Sequence, residues 1–245
     1  MDAEIDSLLE DISAYLPSDQ RKRKVYVTIT YAQSIDGRVA GRRGERTKIS
    51  GPASSKMTHF LRAKHDAILV GNNTLVIDDP GLNCRYPGCK SSPTPILLDS
   101  LFSWGASEKE WNILKNARLG VGQPPYLFTL NTVNLELEPF KQRKTAIEEV
   151  GGKVLQLPDM KWPTILSALE DNGIESLMIE GGATVIGSSL EANISDAIIV
   201  TIGSNYLGIS GVEAAPTAKV ALKNVKWASI GDDCILCARQ VAAED

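Results

Sequence analysis

Residues 174–188 of this 245-residue chain read IESLMIEGGATVIGS: an apolar run, an acid, two glycines and then a helix-like segment. The run Leu177–Ile179 predicts a buried strand that ends at Glu180, and Thr184 stands at the predicted start of the helix. At such a junction backbone N–H groups point outward, the helix dipole favours negative charge, and glycine lets an anion come close. The segment therefore predicts an anion site, and the neighbouring carboxylate predicts a second, polar ligand beside it.

Strands and helices alternate along most of the chain. The predicted strands cover residues 25–32, 67–71, 95–99, 125–130, 153–157, 176–180 and 195–203, and the predicted helices cover 54–65, 145–152 and 162–173. This alternation indicates an α/β fold with a mostly parallel central sheet and helices on both faces. Residues 225–241 are typical of a terminal hairpin, which would add antiparallel C-terminal strands at one edge.

A single domain accounts for the length of the chain. Apolar residues recur at helical spacing near the N-terminus, at Ile5, Leu8, Leu9, Ile12 and Leu16. No internal repeat, low-complexity segment or convincing linker interrupts the sequence. We therefore expect one domain over residues 1–245, with residues 1–24 as an N-terminal helical extension.

The composition argues against several classes of protein. Hydrophobic residues make up 43% and charged residues 23% of the chain, which is ordinary for a globular protein. A net charge of −4 argues against general nucleic-acid binding, which favours strongly basic domains. No apolar run approaches membrane-helix length, and the acidic start MDAEIDSLLEDI resembles neither a signal nor a transit peptide. The sequence thus predicts a cytoplasmic protein that binds neither membranes nor nucleic acid.

The cysteines Cys234 and Cys237 have the C-x-x-C spacing of some metal and redox sites. They lie in an apolar run that indicates a buried strand, which is the favoured interpretation. A zinc site would need two more ligands, and the two histidines, His59 and His65, are distant in sequence and fall on a predicted helix. We therefore expect no metal.

Polar or glycine-bearing segments follow four of the predicted strands. They are residues 33–52, 72–85, 99–100 and 180–184. In open parallel sheets ligands bind beyond the carboxyl ends of the strands, so this pattern predicts one shared pocket at that edge. The turn at 180–184 is neither the G-x-G-x-x-G of a dinucleotide fold nor a P-loop, so its spacing alone is a moderate phosphate signal.

The segment TLVIDDPGLNCR, residues 74–85, carries more chemistry than the others. Thr74 and Asp78 are four apart and share a helical face, where a hydroxyl and a carboxylate suit a cofactor amide or ribose. Arg85, beyond the turn, suits a phosphate. A capped turn with an exposed arginine is an equally good interpretation. The basic loop Arg42–Lys48 is either solvated or a mobile arm that faces phosphate.

Taken together, SIDGR at 34–38, LRA at 61–63, TLVIDDPGLNCR, Asp99-Ser100 and IEGGAT at 179–184 resemble the reductase family of riboflavin biosynthesis. The resemblance spans about residues 25–200 and implies a dihydrofolate-reductase-like fold. The zinc-deaminase motifs H-x-E and P-C-x-x-C are missing, so the chain resembles the stand-alone fungal or archaeal reductases rather than the bifunctional bacterial proteins. The implied activity is NADPH-dependent reduction of 2,5-diamino-6-ribosylamino-4(3H)-pyrimidinone 5′-phosphate by a homodimer.

The resemblance also implies roles for individual residues. Cofactor contacts are expected at Ala32, Lys48, Thr74, Asp78, Asp99, Ser100, Gly182, Ala183, Thr184, Val185 and Ile186, and substrate contacts at Arg62, Leu82, Arg85 and Glu180. Thr74 and Asp78 would lie near the nicotinamide, residues 182–188 would cradle the pyrophosphate, and Asp99-Ser100 would lie near the adenosine. Glu180 is the expected catalytic residue. Lys48 departs from the tryptophan that bacterial relatives often carry there.

Three other functions remain open from the sequence. The enzyme could reduce the deaminated pyrimidine, 5-amino-6-(5-phosphoribosylamino)uracil, or it could reduce dihydrofolate. Folate enzymes bind their pterin through a helical carboxylate, whereas the helix here offers Arg62, which favours a phosphorylated substrate. A non-catalytic nucleotide-binding protein of the same fold is the third alternative. Arg62, Arg85 and Glu180 argue against it, because a cofactor binder needs no second set of polar groups.

Overall fold

The computed structural model describes residues 2–17, 23–105 and 110–241, and only the backbone of residues 2–7. Residues 18–22 of the predicted N-terminal extension lie outside the described residues. The helices are α1 Asp2–Ser13, α2 Pro52–Arg62, α3 Asn72–Asp78, α4 Asn112–Arg118, α5 Phe140–Glu148, α6 Trp162–Asp171 and α7 Ala183–Glu191. The strands are β1 Tyr26–Ser34, β2 Arg38–Ala40, β3 Ala67–Gly71, β4 Thr94–Leu98, β5 Tyr126–Leu130, β6 Lys153–Leu157, β7 Ser176–Gly181, β8 Ala197–Gly203, β9 Val212–Glu213, β10 Leu222–Ile230 and β11 Asp233–Gln240.

Nine strands form the central sheet, in the order β10-β11-β8-β1-β7-β3-β4-β5-β6. The seven strands from β8 to β6 are parallel, and β11 and β10 join β8 as an antiparallel hairpin. The expected α/β class, with a mostly parallel sheet and antiparallel C-terminal strands, is confirmed. In a parallel sheet the carboxyl ends of neighbouring strands meet at one edge, which brings the segments after β1, β3, β4 and β7 together.

Helices cover both faces of the sheet because each buried strand sends alternate side chains to opposite faces. In β3, Ala67 and Leu69 face the core shared with α6 and α7, and Ile68 and Val70 face the core shared with α3, α4 and α5. The helices α1 and α2 pack beside the C-terminal hairpin in a third apolar cluster. No helix in the described ranges combines the length and apolar character needed to cross a membrane.

The structure adds elements that the apolar pattern did not predict. Helix α4 lies in a segment with no predicted helix, α5 begins five residues before its predicted start, and β2 and β9 form a separate two-stranded sheet. The strands β2 and β9 are three and two residues long and are partly exposed, so they carry no detectable hydrophobic alternation.

The N-terminus of α2 is held by the other end of the chain. Its N-cap residue, Gly51, has no side chain with which to cap the helix. Instead, Asp233 at the start of β11 accepts hydrogen bonds from the Gly51 N–H at 2.7 Å and the Ser54 hydroxyl at 2.5 Å. A carboxylate at this position also complements the helix dipole. The C-terminal hairpin therefore fixes the start of α2, whose far end contributes to the candidate site.

Candidate functional site

The glycine turn between β7 and α7 has the geometry of an anion cradle. The first hydrogen bond of α7 runs from the Ile186 N–H to the Gly182 carbonyl, so the preceding N–H groups have no acceptor within the helix. Gly181 has a φ of +125°, a backbone conformation that glycine adopts readily, and its peptide bond to Gly182 is cis. A Cβ built on Gly182 would lie 3.0 Å from the Thr74 hydroxyl oxygen. A side chain at Gly182 would therefore crowd Thr74 next to these N–H groups.

The predicted cofactor residues of α3 lie beside this turn. Thr74 faces Gly182, and a Cβ on Gly71 before α3 would come within 2.8 Å of Val185 Cγ2, so the two strand–helix junctions are in close contact. Asp78 is half-buried, and burial raises its pKa while the nearby Arg46 acts in the opposite direction. The charge of Arg46 in the basic loop therefore acts on the end of α3.

Glu180 lies at a bulge in the sheet, next to the glycine turn. Opposite β3, the register passes from Leu69–Ile179 directly to Val70–Gly181, so Glu180 is the extra residue of β7. Bulges re-aim a side chain and are frequent next to functional sites. The bulge thus turns Glu180 out of the regular alternation of its strand.

The carboxylate of Glu180 forms a two-point ion pair with Arg62 at the end of α2. The Arg62 Nε and Nη2 atoms donate to Oε1 at 2.8 Å and to Oε2 at 2.6 Å. Both side chains are mostly buried, with 11% of Arg62 and 16% of Glu180 exposed. Burial acts to lower the pKa of Arg62, but the Glu180 charge and hydrogen bonds outweigh it and the pKa is raised. Arg62 also donates to the Asn83 carbonyl oxygen at 3.0 Å, so its donors point at the protein.

Arg85 and His59 complete this side of the site. The Arg85 N–H donates to His59 Nδ1 at 3.2 Å, and its exposed guanidinium contacts the Asn83 side chain at 3.3 Å. Burial, together with Arg62 and Arg85, lowers the pKa of His59 to about 4, so the ring is neutral at pH 7. None of the sequence motifs marked His59 as a site residue. Its signal was the H-x-x-R spacing on α2, which puts His59 and Arg62 on one helix face.

Three of the residues with predicted ligand contacts have side chains that point into the protein. The Asp99 carboxylate accepts hydrogen bonds from the Trp104 N–H at 2.6 Å and from the Ser103 hydroxyl at 3.2 Å, so it holds its own loop. The side chains of Leu82 and Ile186 are buried in two of the apolar clusters. A local motif does not show which way a loop side chain turns. Any ligand contact at Leu82 or Ile186 must therefore use the backbone.

The remaining predicted cofactor residues are accessible to different degrees. Ala32 lies in β1 with its side chain half-buried, Ser100 follows β4, and Lys48 is exposed. The loop after Lys48 is anchored against the end of β8, where the Ile49 carbonyl oxygen accepts from Asn205 Nδ2 at 3.0 Å. The carboxyl ends of the strands thus lie at one edge of the sheet, and the basic loop is held next to the end of β8.

A groove between α6 and α7 extends the site away from Glu180. Its volume is about 390 Å³, and its lining includes Leu98 at the end of β4, Met160 and Lys161 before α6, and Val185 and Ser188 on α7. The sequence analysis placed the adenosine near residues 99–100 and did not single out Met160 or Lys161. These two residues follow β6, whose loop carries no recognised motif.

The C-x-x-C pair lies in a buried strand, as expected. Cys234 and Cys237 are both on β11, where residues three apart face opposite sides of the sheet. Burial raises the pKa of the Cys237 thiol to about 12. In the part of the chain that the structure describes, no group of three or more His, Cys, Asp or Glu side chains could hold a metal ion.

Comparison with known proteins shows which family has these sequence features. The sequence model of the RibD C-terminal domain family matches residues 25–236, which include the glycine turn, the ion pair and Arg85. The chain belongs to the RibD C-terminal domain family. This family is the one that the motifs predicted.

Similar members of the RibD C-terminal domain family come from yeasts. A Candida glabrata protein is 38% identical over 249 residues, covering 96% of this chain and 97% of its own, and a Saccharomyces cerevisiae protein is 36% identical, covering 96% of both. Both are named 2,5-diamino-6-ribosylamino-4(3H)-pyrimidinone 5′-phosphate reductase.

Solved structures agree with this family assignment. That of a Saccharomyces cerevisiae riboflavin biosynthesis reductase superposes with a TM-score of 0.79 at 32% identity, covering 96% of this chain and all of its own. A Thermotoga maritima deaminase/reductase shares the fold, with a TM-score of 0.68 at 22% identity, and this chain covers 58% of it.

Proposed function

We propose that the chain catalyses NADPH-dependent reduction of 2,5-diamino-6-ribosylamino-4(3H)-pyrimidinone 5′-phosphate, converting the ribosylamino side chain to the ribitylamino product in riboflavin biosynthesis. The names of full-length yeast relatives support this substrate. The observation that carries the proposal is the position of the Arg62–Glu180 ion pair, directly beside a glycine turn suited to a phosphate. One pocket thus offers an anion cradle and, next to it, polar groups for a second ligand.

The cofactor half of the pocket fits a nicotinamide dinucleotide. The glycine turn and the N–H groups at the start of α7, which have no acceptor within the helix, suit a pyrophosphate, with Ala183, Thr184 and Val185 contributing backbone donors. When bound, the cofactor supplies a hydride. Thr74 would contact its nicotinamide end, and the groove between α6 and α7 would take its adenosine end.

The preference for NADPH over NADH is part of the same proposal. The 2′-phosphate that distinguishes NADPH needs a cationic partner. Lys48 and the neighbouring arginines of the basic loop are candidates, and the charge of Arg46 acts to lower the pKa of Asp78 on the cofactor side. Lys161, whose side chain is 79% exposed beside the groove, is a further candidate.

In the substrate half of the pocket, Glu180 contacts the sugar and Arg85 binds the phosphate. The ribosylamine opens to an imine at the sugar C1, where positive charge develops before reduction. The Glu180 carboxylate stabilises that charge and hydrogen-bonds the opened sugar. Arg85, with its exposed guanidinium, takes the 5′-phosphate.

Arg62 is better described as a positioning residue than as a phosphate ligand. Its Nε and Nη2 atoms are occupied by Glu180 and its Nη1 by the Asn83 carbonyl oxygen. A bidentate guanidinium fixes the plane of a carboxylate, so Arg62 holds Glu180 in one orientation next to the cofactor. This reassigns one of the two arginines that the sequence had given to the phosphate.

The decisive experiment measures NADPH oxidation by the purified protein with two substrates, the diaminopyrimidine and its deaminated analogue. We expect a clearly higher kcat/KM for the diaminopyrimidine. Faster turnover of the deaminated compound would favour the first alternative enzyme. NADPH binding without turnover of either compound would favour a non-catalytic nucleotide-binding protein, and turnover of dihydrofolate would favour a folate enzyme.

The organisation of the protein belongs to the proposal as well. We take residues 1–245 as one reductase domain with 1–24 as its N-terminal extension, because Leu8 and Ile12 of α1 pack in the same cluster as residues of the sheet. We take the protein as cytoplasmic and as a homodimer. The edge strand β10 supports a dimer, since it exposes Leu222, Val225 and Trp227.

A further inference from the structure

The segment CRYPGC, residues 84–89, places two cysteines on either side of a tight turn. The Cys89 N–H donates to the Tyr86 carbonyl oxygen at 3.1 Å, and Pro87 and Gly88 occupy the corner, with a φ of +75° at Gly88. Proline followed by a positive-φ glycine is the pattern of a type II turn, which reverses the chain. The reversal brings the two ends of the segment together, because the Cys84 N–H donates to the Ser92 hydroxyl at 3.0 Å, and Cys89 contributes to the raised pKa of the Cys84 thiol.

The two thiols differ in their surroundings. The Cys84 thiol donates to the His59 carbonyl oxygen at 3.2 Å and accepts from the Tyr86 N–H at 3.4 Å. Burial, with a contribution from Cys89, raises the pKa of Cys84 to about 11. The Cys89 thiol donates to the Ser91 carbonyl oxygen at 2.9 Å on the exposed side of the loop. It also lines an open cavity of about 820 Å³ at the amino ends of the strands.

We propose that Cys84 and Cys89 form a modification site, in which a hydroperoxide oxidises the pair to a reversible disulfide. Cys89 is the first target because its thiol faces the open cavity, and Cys84 is the resolving thiol. The two cysteines border a cavity at the amino ends of the strands, whereas the glycine turn lies at the carboxyl end of β7. Arg85 connects this cysteine pair to the substrate residues.

The chemistry balances as a two-electron oxidation. The Cys89 sulfur attacks one peroxide oxygen, the S–O bond forms, the O–O bond breaks, and hydrogen peroxide leaves one molecule of water and a sulfenic acid. The Cys84 sulfur then attacks the Cys89 sulfur, the S–S bond forms, the S–O bond breaks, and the thiol proton leaves with the second water. Both thiols are oxidised and the peroxide is reduced. A dithiol reverses the reaction by exchange.

The expected consequence for activity rests on the proposed function of Arg85. The residue lies inside the loop that the disulfide would close, and its N–H is bonded to His59. Oxidation removes the thiol proton that Cys84 donates to the His59 carbonyl oxygen. Closing the loop therefore changes the hydrogen bonds that set the position of Arg85, and we expect the KM for the phosphorylated substrate to rise several-fold with a smaller effect on kcat.

The test treats the full-length protein with hydrogen peroxide, alkylates the remaining free thiols, and maps the peptides by mass spectrometry. We expect a peptide with Cys84 joined to Cys89, two hydrogens lighter than the reduced form, that dithiothreitol restores. Cys89→Ser should remove the crosslink and the rise in KM. Cys234→Ser, a cysteine substitution in β11 outside the 84–89 loop, should retain both.

Two outcomes would overturn the proposal: alkylation of both cysteines after peroxide treatment, or peroxide-dependent loss of activity that persists in Cys89→Ser. A crosslink with an unchanged KM would overturn the link to Arg85. Failure of the proposed function would look different, because the reduced protein would then show no turnover while the crosslink could still be mapped.

Discussion

The orientation of Glu180 in the site depends on residues outside its own motif. The sequence predicts a carboxylate next to a glycine turn, and that prediction needs only the local pattern. Its orientation depends on a bulge opposite Leu69 and on Arg62, which lies 118 positions away in the chain. Neither the bulge nor the ion pair has a signal in the local sequence. The sequence therefore predicts Glu180 as a site residue, but only the structure shows that Arg62 is its partner.

We predict that Glu180→Gln lowers kcat by roughly 10²-fold, because an amide cannot stabilise the positive charge that develops at the sugar C1. The dissociation constant for NADPH should change little, since the free N–H groups of α7 are untouched. Steady-state kinetics and a fluorescence titration of NADPH measure the two effects. A kcat equal to that of the wild type would remove Glu180 from this role.

The two arginines of the substrate side should respond differently to the same substitution. In Arg62→Lys the charge stays but the bidentate contact to Glu180 is lost, so we expect mainly a lower kcat. In Arg85→Lys the phosphate contact weakens, so we expect mainly a higher KM for the phosphorylated substrate. Measuring kcat and KM for both variants separates positioning from phosphate binding. A rise in KM alone for Arg62→Lys would restore its assignment to the phosphate.

At the scale of elements, most strands and helices follow from apolar periodicity, and the strand–turn–helix unit at 174–188 is one of them. What the periodicity could not show is the inward turn of side chains such as Asp99 and Leu82. The Asp99 carboxylate accepts hydrogen bonds from its own loop. Leu82 has a φ of +49°, and its side chain is buried in the core. The orientation of such side chains depends on contacts between different segments of the chain, which the sequence of one segment alone does not predict.

The junction between β7 and α7 allows a matched pair of glycine substitutions. Gly182→Ala should weaken NADPH binding by about tenfold or more, because the new methyl group lies 3.0 Å from the Thr74 hydroxyl and partly fills the anion cradle. Gly187→Ala lies further along the same helix, where Gly187 is buried and its Cβ would face the Ala215 carbonyl oxygen at 3.5 Å, an ordinary contact that leaves the N–H groups at the start of α7 untouched. This control should leave binding unchanged. Equal NADPH affinity in the two variants would contradict a pyrophosphate site at Gly182.

His65 joins α2 to β1 and should make stability depend on pH. Its Nδ1 lies 2.7 Å from the Leu61 carbonyl oxygen and its Nε2 2.8 Å from the Thr28 hydroxyl. Burial lowers its pKa from 6.5 to about 4. As pH falls below 6.5 the unfolded chain takes up the proton first, so the stability that neutral His65 contributes is lost progressively between pH 6.5 and 4.

This loss amounts to roughly 3 kcal/mol when complete. Urea unfolding of the wild type from pH 7.5 to 4.5, compared with His65→Gln, isolates the contribution, because glutamine keeps a polar side chain that does not titrate. We expect a shallower pH dependence in the variant. Parallel curves for the two proteins would show that another group is responsible.

At the scale of the whole molecule, the strand alternation and the terminal hairpin were enough to predict the class of fold and its antiparallel edge. The edge strand β10 carries the exposed side chains of the proposed dimer, among them Trp227 at 62% exposure. Trp227→Asp should shift the protein from dimer to monomer in sedimentation equilibrium. Leu119→Asp, at a site 64% exposed after α4, is the matched control and should stay dimeric. A monomeric wild type, or a dimeric Trp227→Asp, would exclude this edge as the interface.

The hydrogen bonds from Gly51 and Ser54 to Asp233 have a consequence for biosynthesis. During translation, α2 emerges long before its anchor is made, because Gly51 and Asp233 are 182 positions apart. Limited proteolysis of nascent chains stalled before and after residue 233 would detect the difference. We expect the earlier chain to be cut near the start of α2. The ribosome must therefore deliver nearly the whole chain before the helix that carries His59 and Arg62 is fully secured.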